Sequence, residues 1–152
     1  MYYTYVNNVD VASPKNESST DKSIFLLLHA ARTLENRVEA TLETVGLSMA
    51  KYSVVSELVS ADAPVSLSEL ATRLSCVRSN MTQLVDRLEA DGLVQRVDDP
   101  NDRRAVKAAI TVEGRKRQAA GADAIAKLHE EFAASVDETD RDALGRLLTA
   151  LK

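Results

Sequence analysis

Polar and basic side chains recur on one side of a predicted helix in the middle of the chain. Asn80, Gln83 and Arg87 follow one another at steps of three and four residues, opposite the apolar positions of the same helix. Asparagine and glutamine amides can pair bidentately with adenine, and arginine with guanine. The row therefore favours a helix that reads base edges in the major groove of DNA, although a solvated helix face would explain any one of these residues alone.

Two adjacent arginines, Arg103 and Arg104, follow this helix beside a polar turn at residues 98–102. The turn separates two short runs with strand character, 93–97 and 106–112, so a β-hairpin is predicted with the arginines at its tip. Arginine suits a phosphate backbone or a narrow minor groove of strong negative potential. An arginine-tipped hairpin directly after a polar helix strengthens the prediction of a DNA contact.

The elements that position these side chains are mainly helices. Apolar residues recur at steps of three and four from Ile24 to Val45, which predicts a long first helix that ends at Gly46. A second helix is predicted at about 48–60. Helical periodicity returns after Thr111 and continues in two further helices to the end of the chain.

Two short helices precede the hairpin. Ser66 and Glu69 have the spacing of a capping box, in which the serine hydroxyl accepts the Glu69 amide and the Glu69 carboxylate reaches back to the start of the helix. A tight connection at 75–77 leads to a fourth helix at about 78–91, whose outer face carries the polar row. Helix, tight turn, helix and hairpin in this order form a winged helix-turn-helix.

The predicted fold class is mainly α with a small β-hairpin wing: a winged helix-turn-helix with long N- and C-terminal dimerisation helices. We expect one compact domain, with a flexible N-terminal arm at 1–22. Residues 23–47 and 113–152 would form a helical dimerisation region, and residues 48–112 the DNA-binding lobe. The dimer is expected because the first and last helices have apolar stripes that a small lobe cannot cover and a second copy would bury.

Charge is segregated along the chain. The formal net charge is −4, but residues 66–117 carry 10 Lys or Arg against 8 Asp or Glu, and the rest of the chain carries 9 against 15. Residues 103–117 hold six basic residues and one acid, Glu113. A basic segment between acidic flanks is a weak signal by itself, but it agrees with a nucleic-acid partner for the middle of the chain.

Other kinds of site find little support. The single cysteine, Cys76, excludes an internal disulfide, and the longest apolar run, 24–28, is too short to cross a bilayer. No charged-then-apolar signal peptide opens the chain, so a cytoplasmic protein without membrane contact is expected. His29 and His129 lack metal-ligand spacing and no catalytic motif is found, so no metal, cofactor or catalytic residue is predicted.

Five short stretches of the sequence form a recognisable series. They read Leu70-Ala71-x-x-Leu74, MTQLVDRLE at 81–89, DGLV-x-R at 91–96, DPNDRR at 99–104 and Ile110-Thr111-x-x-Gly114. The most specific is an aspartate followed by a double arginine and, about seven residues later, a threonine. In these stretches and in its helix order, the chain from about Ser23 to its end resembles the MarR family of transcription regulators.

The resemblance implies a two-fold homodimer with intertwined first and last helices, which binds a pseudo-palindromic operator in double-stranded DNA. Six residues map onto the recognition helix: Arg78, Ser79, Asn80, Thr82, Gln83 and Arg87. Arg103 or Arg104 maps onto the wing-tip arginine. Asp102 would orient an arginine by a charge-assisted hydrogen bond instead of touching DNA.

Many members of the family release DNA when a small phenolic or otherwise apolar anion binds between the dimer helices and the DNA-binding lobe. The resemblance therefore implies a sequence-specific transcription regulator, a repressor relieved by such an effector, and not an enzyme. Other members respond to oxidants through a cysteine. Cys76 lies at the mouth of the recognition helix, so a thiol-based redox regulator is one alternative, and a buried packing role for this cysteine is the simpler interpretation.

A winged-helix protein-interaction module that does not read DNA is the alternative from another functional class. The overall acidity of the chain favours it, whereas Arg103, Arg104 and the row of asparagine, glutamine and arginine count against it. An enzyme is the weakest of the three hypotheses.

Overall fold

The computed structural model describes residues 19–99 and 102–150. The described part contains six helices and three short strands. In chain order these are α1 (Ser19–Glu43), α2 (Met49–Ala61), β1 (Val65–Ser66), α3 (Leu67–Arg73), α4 (Arg78–Ala90), β2 (Val94–Asp99), β3 (Asp102–Ile110), α5 (Val112–Ser135) and α6 (Glu138–Ala150). The chain divides into a first unit that ends at Leu34 and a second unit at 35–152.

The described part of the first unit is the N-terminal portion of α1. Its apolar side chains are exposed in succession: Ile24, Phe25, Leu26 and Leu28 are each more than 60% accessible. Successive positions point to all sides of a helix, so this segment is apolar around its circumference. Most of the predicted N-terminal arm (1–22), residues 1–18, lies outside the described residues.

The second unit has an aliphatic core, in keeping with an aromatic content of only 4%. The core is formed where the end of α1 and helices α2, α3 and α4 pack on the sheet. Its buried members are Leu42, Leu47, Val54, Val55, Leu58, Val65, Leu70, Ala71, Met81, Val85, Leu88, Leu93, Val94 and Ala108. This core fixes the orientation of α4, since three of the buried residues belong to that helix.

Side-chain caps begin α2 and α5, close to the predicted starts of these two helices. The Ser48 hydroxyl accepts a hydrogen bond from the backbone N–H of Lys51 at 3.2 Å, and the Thr111 hydroxyl accepts one from Gly114 at 3.0 Å. Each cap satisfies a backbone donor that has no partner within the helix. The starts of α2 and α5 are therefore determined locally.

The predicted capping box at Ser66 is half correct. The Ser66 hydroxyl accepts from the Glu69 N–H at 3.2 Å, but the Glu69 carboxylate does not complete the box. It accepts instead from Arg73 at 2.6 Å, one helical turn later. A charged partner at this spacing offers a stronger, charge-assisted hydrogen bond than a backbone N–H.

The predicted hairpin is part of a three-stranded antiparallel sheet in the order β1-β3-β2. The pattern missed β1, which is only two residues long and pairs Val65 with Ala108. The strands β2 and β3 reach further towards the turn than the predicted 93–97 and 106–112, and Asp99 pairs with Asp102. Arg103 and Arg104 therefore belong to the backbone of β3, next to the turn and not within it.

No helix of the described ranges has both the length and the apolar character that a membrane span requires.

Candidate nucleic-acid interface

Helix α4 presents one buried face and one polar face. Met81, Val85 and Leu88 are at most 1% accessible and anchor the helix in the core. All six residues predicted for the recognition helix are exposed: Arg78, Ser79, Asn80, Thr82, Gln83 and Arg87. The structure therefore brings these side chains together on the solvent side of one rigid helix, which is the arrangement that base readout in a groove needs.

The side chains on this face differ in the hydrogen bonds they already make. The Thr82 hydroxyl donates to the backbone carbonyl of Arg78 at 3.1 Å, one turn earlier in the helix. Its proton is thus used within α4, and its oxygen stays an acceptor. Asn80 and Gln83 carry amides with both donors and acceptors, so they are better suited to a bidentate contact with a base.

A tight turn joins α3 to α4. Ser75 adopts a left-handed conformation with φ of 49°, and the Cys76 N–H donates to the Ala71 carbonyl at 2.8 Å, which closes the end of α3. Val77 precedes α4 and provides no side-chain cap, so the first N–H groups of the helix have no side-chain acceptor there. Such a helix start favours anions, including the phosphates of DNA.

Cys76 lies in this turn and is half-buried. Its Sγ packs against the hydrophobic core and lies 3.6 Å from the carbonyl oxygen of Val77. This environment supports the packing role over the redox role.

An arginine on the sheet binds two acids of α4, an arrangement that the sequence analysis did not anticipate. The Arg96 guanidinium lies 2.5 Å from an oxygen of Asp86 and 2.5 Å from an oxygen of Glu89. The backbone N–H of Arg96 also donates to Glu89, at 3.0 Å. The available signal was two acids three residues apart, followed by an arginine at the start of the next strand. We call Arg96, Asp86 and Glu89 the acid clamp.

The acid clamp changes the ionisation of its members. The pKa of Glu89 is lowered, first by the hydrogen bond from the backbone N–H of Arg96 and second by the hydrogen bond from its guanidinium. The hydrogen bond with Asp86 raises the pKa of Arg96. Because the Glu89 pKa in the folded chain lies below its unfolded value, this contact stabilises the fold above the unfolded pKa. The stabilisation is lost as pH falls through the folded pKa.

Two further ion pairs join the helix-turn-helix to α2, and a third lies within α3. Lys51 of α2 lies 2.5 Å from Asp91, at the C-terminal end of α4. Arg73 of α3 binds Glu57 of α2 at 2.5 Å as well as Glu69. These contacts join α3 and the end of α4 to the same supporting helix, α2.

The predicted wing residues lie at the beginning of β3. Asp102, Arg103 and Arg104 follow the turn directly, and the described residues stop at Asp99 on its other side. The side chains of these three residues lie outside the described part of the chain, so the predicted orientation of an arginine by Asp102 remains a prediction.

Within the described ranges, no group of three or more His, Cys, Asp or Glu side chains is arranged so that it could hold a metal ion. Both histidines, His29 and His129, are exposed.

Comparison with known proteins finds similarity to the MarR family in the segment that holds the candidate interface. The MarR family model matches residues 47–106, the segment that contains α2 to α4, β1, β2 and the start of β3. The transcriptional regulator PrsX of Escherichia coli is 33% identical over 90 residues, which are 59% of this chain and 54% of PrsX. The chain thus spans about half the length of this curated relative.

Solved structures extend the similarity to most of the chain. A MarR-family transcriptional regulator from Rhodococcus sp. RHA1 is 26% identical, with a TM-score of 0.72 over 90% of this chain and 96% of that structure. CouR from Rhodococcus jostii RHA1, solved with bound p-coumaroyl-CoA, is also 26% identical, with a TM-score of 0.71 over 90% and 95%. The family model matches the helices that hold the candidate interface, and these structures share the surrounding architecture, so the chain is similar to MarR-family regulators over most of its length.

Proposed function

We propose that this chain is a sequence-specific, DNA-binding transcription regulator. One observation carries the proposal: the second helix of a helix-turn-helix is anchored by three buried residues and exposes six polar or basic residues on its other side. The relatives that match this segment are named as transcriptional regulators, which also argues against an enzyme.

Helix α4 is proposed to enter the major groove. A helix anchored along one face keeps its outer side chains at fixed positions, so each can be matched to one base pair. Asn80 and Gln83 would contact base edges, and Arg78, Ser79, Thr82 and Arg87 would contact bases or nearby phosphates.

Replacing Gln83 or Asn80 with alanine should relax sequence preference at particular operator positions. A bidentate contact discriminates by about 1–3 kcal/mol, so binding to the best operator should weaken by about 5- to 150-fold, with less change on operators altered at that position. Competition binding with a set of single-base operator variants measures this. If both mutants rank all variants as the parent does, base readout lies elsewhere.

Arg103 and Arg104 are proposed to contact the DNA backbone or the minor groove beside the recognition helix, with Asp102 orienting one of them. Their place in β3, directly after the turn, puts them at the outer end of the hairpin. Phosphate contacts strengthen binding to every sequence and make it dependent on salt.

The double variant Arg103→Ala and Arg104→Ala should weaken binding to all duplexes alike. The slope of log affinity against log salt should flatten by about one to two units, because fewer counterions are released. A salt titration with a duplex of mixed sequence measures both quantities. Unchanged affinity with an unchanged slope would remove these arginines from the contact surface.

Selection of bound sequences from a random DNA pool tests the main proposal. A DNA-reading regulator should enrich one pseudo-palindromic sequence, whose neighbouring genes can then be assayed. A protein-interaction module of the same fold should enrich none and should show no steep salt dependence on random DNA.

The protein is further proposed to act as a homodimer on a two-fold operator. Exposed apolar side chains at Ile24, Phe25 and Leu28 in the first unit, and at Leu147 and Leu148 on α6, support this. Exposed apolar residues in such number are typical of a surface covered by a partner. In this scheme residues 23–47 and 113–152 form the dimerisation region, and residues 48–112 form the DNA-binding lobe.

A small-molecule effector is proposed to relieve repression by binding in a cleft of the second unit. The cleft has a volume of about 460 Å³ and lies between the end of α1 and α5. Val45, Ala120, Ala124 and Leu128 give it apolar walls, and Lys127 supplies a positive charge suited to a phenolate or carboxylate. Asp123 and Glu131 also line the cleft, and Glu131 is paired with Arg37 at 3.3 Å, so Asp123 is the acid that opposes an anionic ligand. The phenolic ligand of CouR is in keeping with an effector of this class.

The effector proposal is tested by adding simple phenolic acids to the protein on its selected operator. The proposal is supported if the parent protein releases DNA when the acid is added, and if Lys127→Ala binds the operator as tightly as the parent but no longer releases it. This result would support both the cleft as the effector site and the repressor mode. Release that is unchanged by this substitution would exclude the cleft.

A further inference from the structure

The DNA-facing helix carries two acids that would oppose its proposed task. Asp86 lies three residues after Gln83 and four after Thr82, so it neighbours the candidate base contacts on the surface of α4. Glu89 lies one turn further along the same helix. The Asp86 and Glu89 side chains are 55% and 40% accessible. Carboxylates at such positions repel the phosphates of an approaching duplex.

Arg96 binds both acids from the neighbouring strand. Its guanidinium divides between the two carboxylates, with one nitrogen 2.5 Å from Asp86 and another 2.5 Å from Glu89. Its backbone N–H fixes a second oxygen of Glu89 at 3.0 Å. The Arg96 side chain itself is only 27% accessible, so the positive charge lies behind the acids, on the side of the sheet.

Resting on the proposed function, we propose that Arg96 is a positioning residue for DNA binding. It draws the Asp86 and Glu89 carboxylates towards β2 and compensates their charge, so that α4 can approach phosphates that unpaired acids would repel. The direct contacts with DNA are made by other residues, and Arg96 acts through the acid clamp. Its effect therefore falls on affinity for any duplex and not on the choice of sequence.

A stabilising role alone would give a different result. The two carboxylates are 55% and 40% accessible, and ion pairs whose acids are this exposed contribute little to folding stability. Removal of Arg96 should thus lower the unfolding midpoint only slightly while it exposes two uncompensated negative charges on the recognition helix. Restoring neutrality by another route should restore DNA binding even though the clamp is gone.

The test compares four forms of the full chain: the parent, Arg96→Gln, the double variant Asp86→Asn/Glu89→Gln, and the triple variant that combines them. The probe is a mixed-sequence duplex of about 30 base pairs at about 50 mM salt, where backbone contacts dominate affinity. Arg73→Gln is the matched control, because it also leaves two carboxylates unpaired, Glu57 and Glu69, but on α2 and α3.

Arg96→Gln is expected to bind the duplex at least about tenfold more weakly than the parent, and the triple variant to return within about threefold of it. The double variant should bind as tightly as the parent or more tightly, and Arg73→Gln should lose less than Arg96→Gln. Thermal unfolding is followed for every form.

Three results would overturn the inference: full affinity in Arg96→Gln, no recovery in the triple variant, or a tenfold loss in the double variant. The double variant decides the matter if Arg96→Gln fails to fold. A parent protein that binds no duplex at all would overturn the proposed function, and this inference with it.

Discussion

Replacing Leu147 and Leu148 with glutamate is expected to abolish tight operator binding, although neither residue is among the proposed DNA contacts. Both side chains lie on α6 and are accessible in the single chain, to 66% and 44%. A charge on an exposed surface costs a monomer little, so only a protein that buries this surface against a second copy should suffer. The double variant therefore tests for the dimer.

The expected loss follows from geometry. A two-fold dimer places two recognition helices about one DNA turn apart, roughly 34 Å, so both half-sites are bound together. A monomer binds only one half-site. It loses the gain in effective concentration that comes from binding two half-sites at once, and this gain is worth at least about a hundredfold in affinity. Sedimentation at micromolar concentration should show that the variant is monomeric, and titration with the selected operator should show that tight binding is lost as well.

Val112→Glu is the matched control for this prediction. Val112 is 74% accessible and starts α5, where an acid is favoured by the helix dipole. The Val112→Glu variant should remain dimeric and keep its operator affinity. A leucine variant that stays dimeric, or a monomer that still binds the full operator tightly, would contradict the proposed architecture.

The local parts of this fold could be predicted because their causes are local. The caps at Ser48 and Thr111 each use a side chain within three residues of the N–H that it binds. The polar and buried faces of α4 follow from a step of three and four residues. Asn80, Gln83 and Arg87 could therefore be selected from the pattern, and the resemblance to the family added the other residues of the proposed recognition helix.

The parts that depend on distant segments could not be predicted. Strand β1 is two residues long and exists only because Val65 pairs with Ala108, so it has no alternating pattern of its own. The outer end of β2 carries Asp98 and Asp99, which pair through the backbone with Val106 and Asp102 of β3. Arg96 likewise acquires its role only when β2 lies beside α4. Each case requires knowledge of which segments meet.

Gly114→Ala is expected to destabilise the protein strongly, because the first turn of α5 lies directly on the start of β2. A Cβ atom at Gly114 would be 2.1 Å from the Leu93 carbonyl oxygen and 2.6 Å from the Ile110 side chain. That carbonyl is held in place because it accepts from the Thr111 N–H at 3.1 Å. The Thr111 hydroxyl, which lies 2.8 Å from the neighbouring Gly92 carbonyl oxygen, is also 3.1 Å from the Leu93 carbonyl oxygen. The added methyl can be accommodated only by lifting α5 from the sheet.

Overpacking of this kind costs about 3 kcal/mol, which in a chain of this size lowers the unfolding midpoint by roughly ten degrees. Gly145→Ala is the control: it lies inside α6 with no atom within 4 Å of the added Cβ, so alanine should stabilise the helix by about 0.5–1 kcal/mol. Thermal unfolding should show a lower unfolding midpoint for Gly114→Ala and a higher one for Gly145→Ala. Equal shifts would show that the contact with Leu93 is not the cause. The expected result would show instead that Gly114 allows α5, part of the proposed dimerisation region, to pack closely against the start of the strand that carries Arg96.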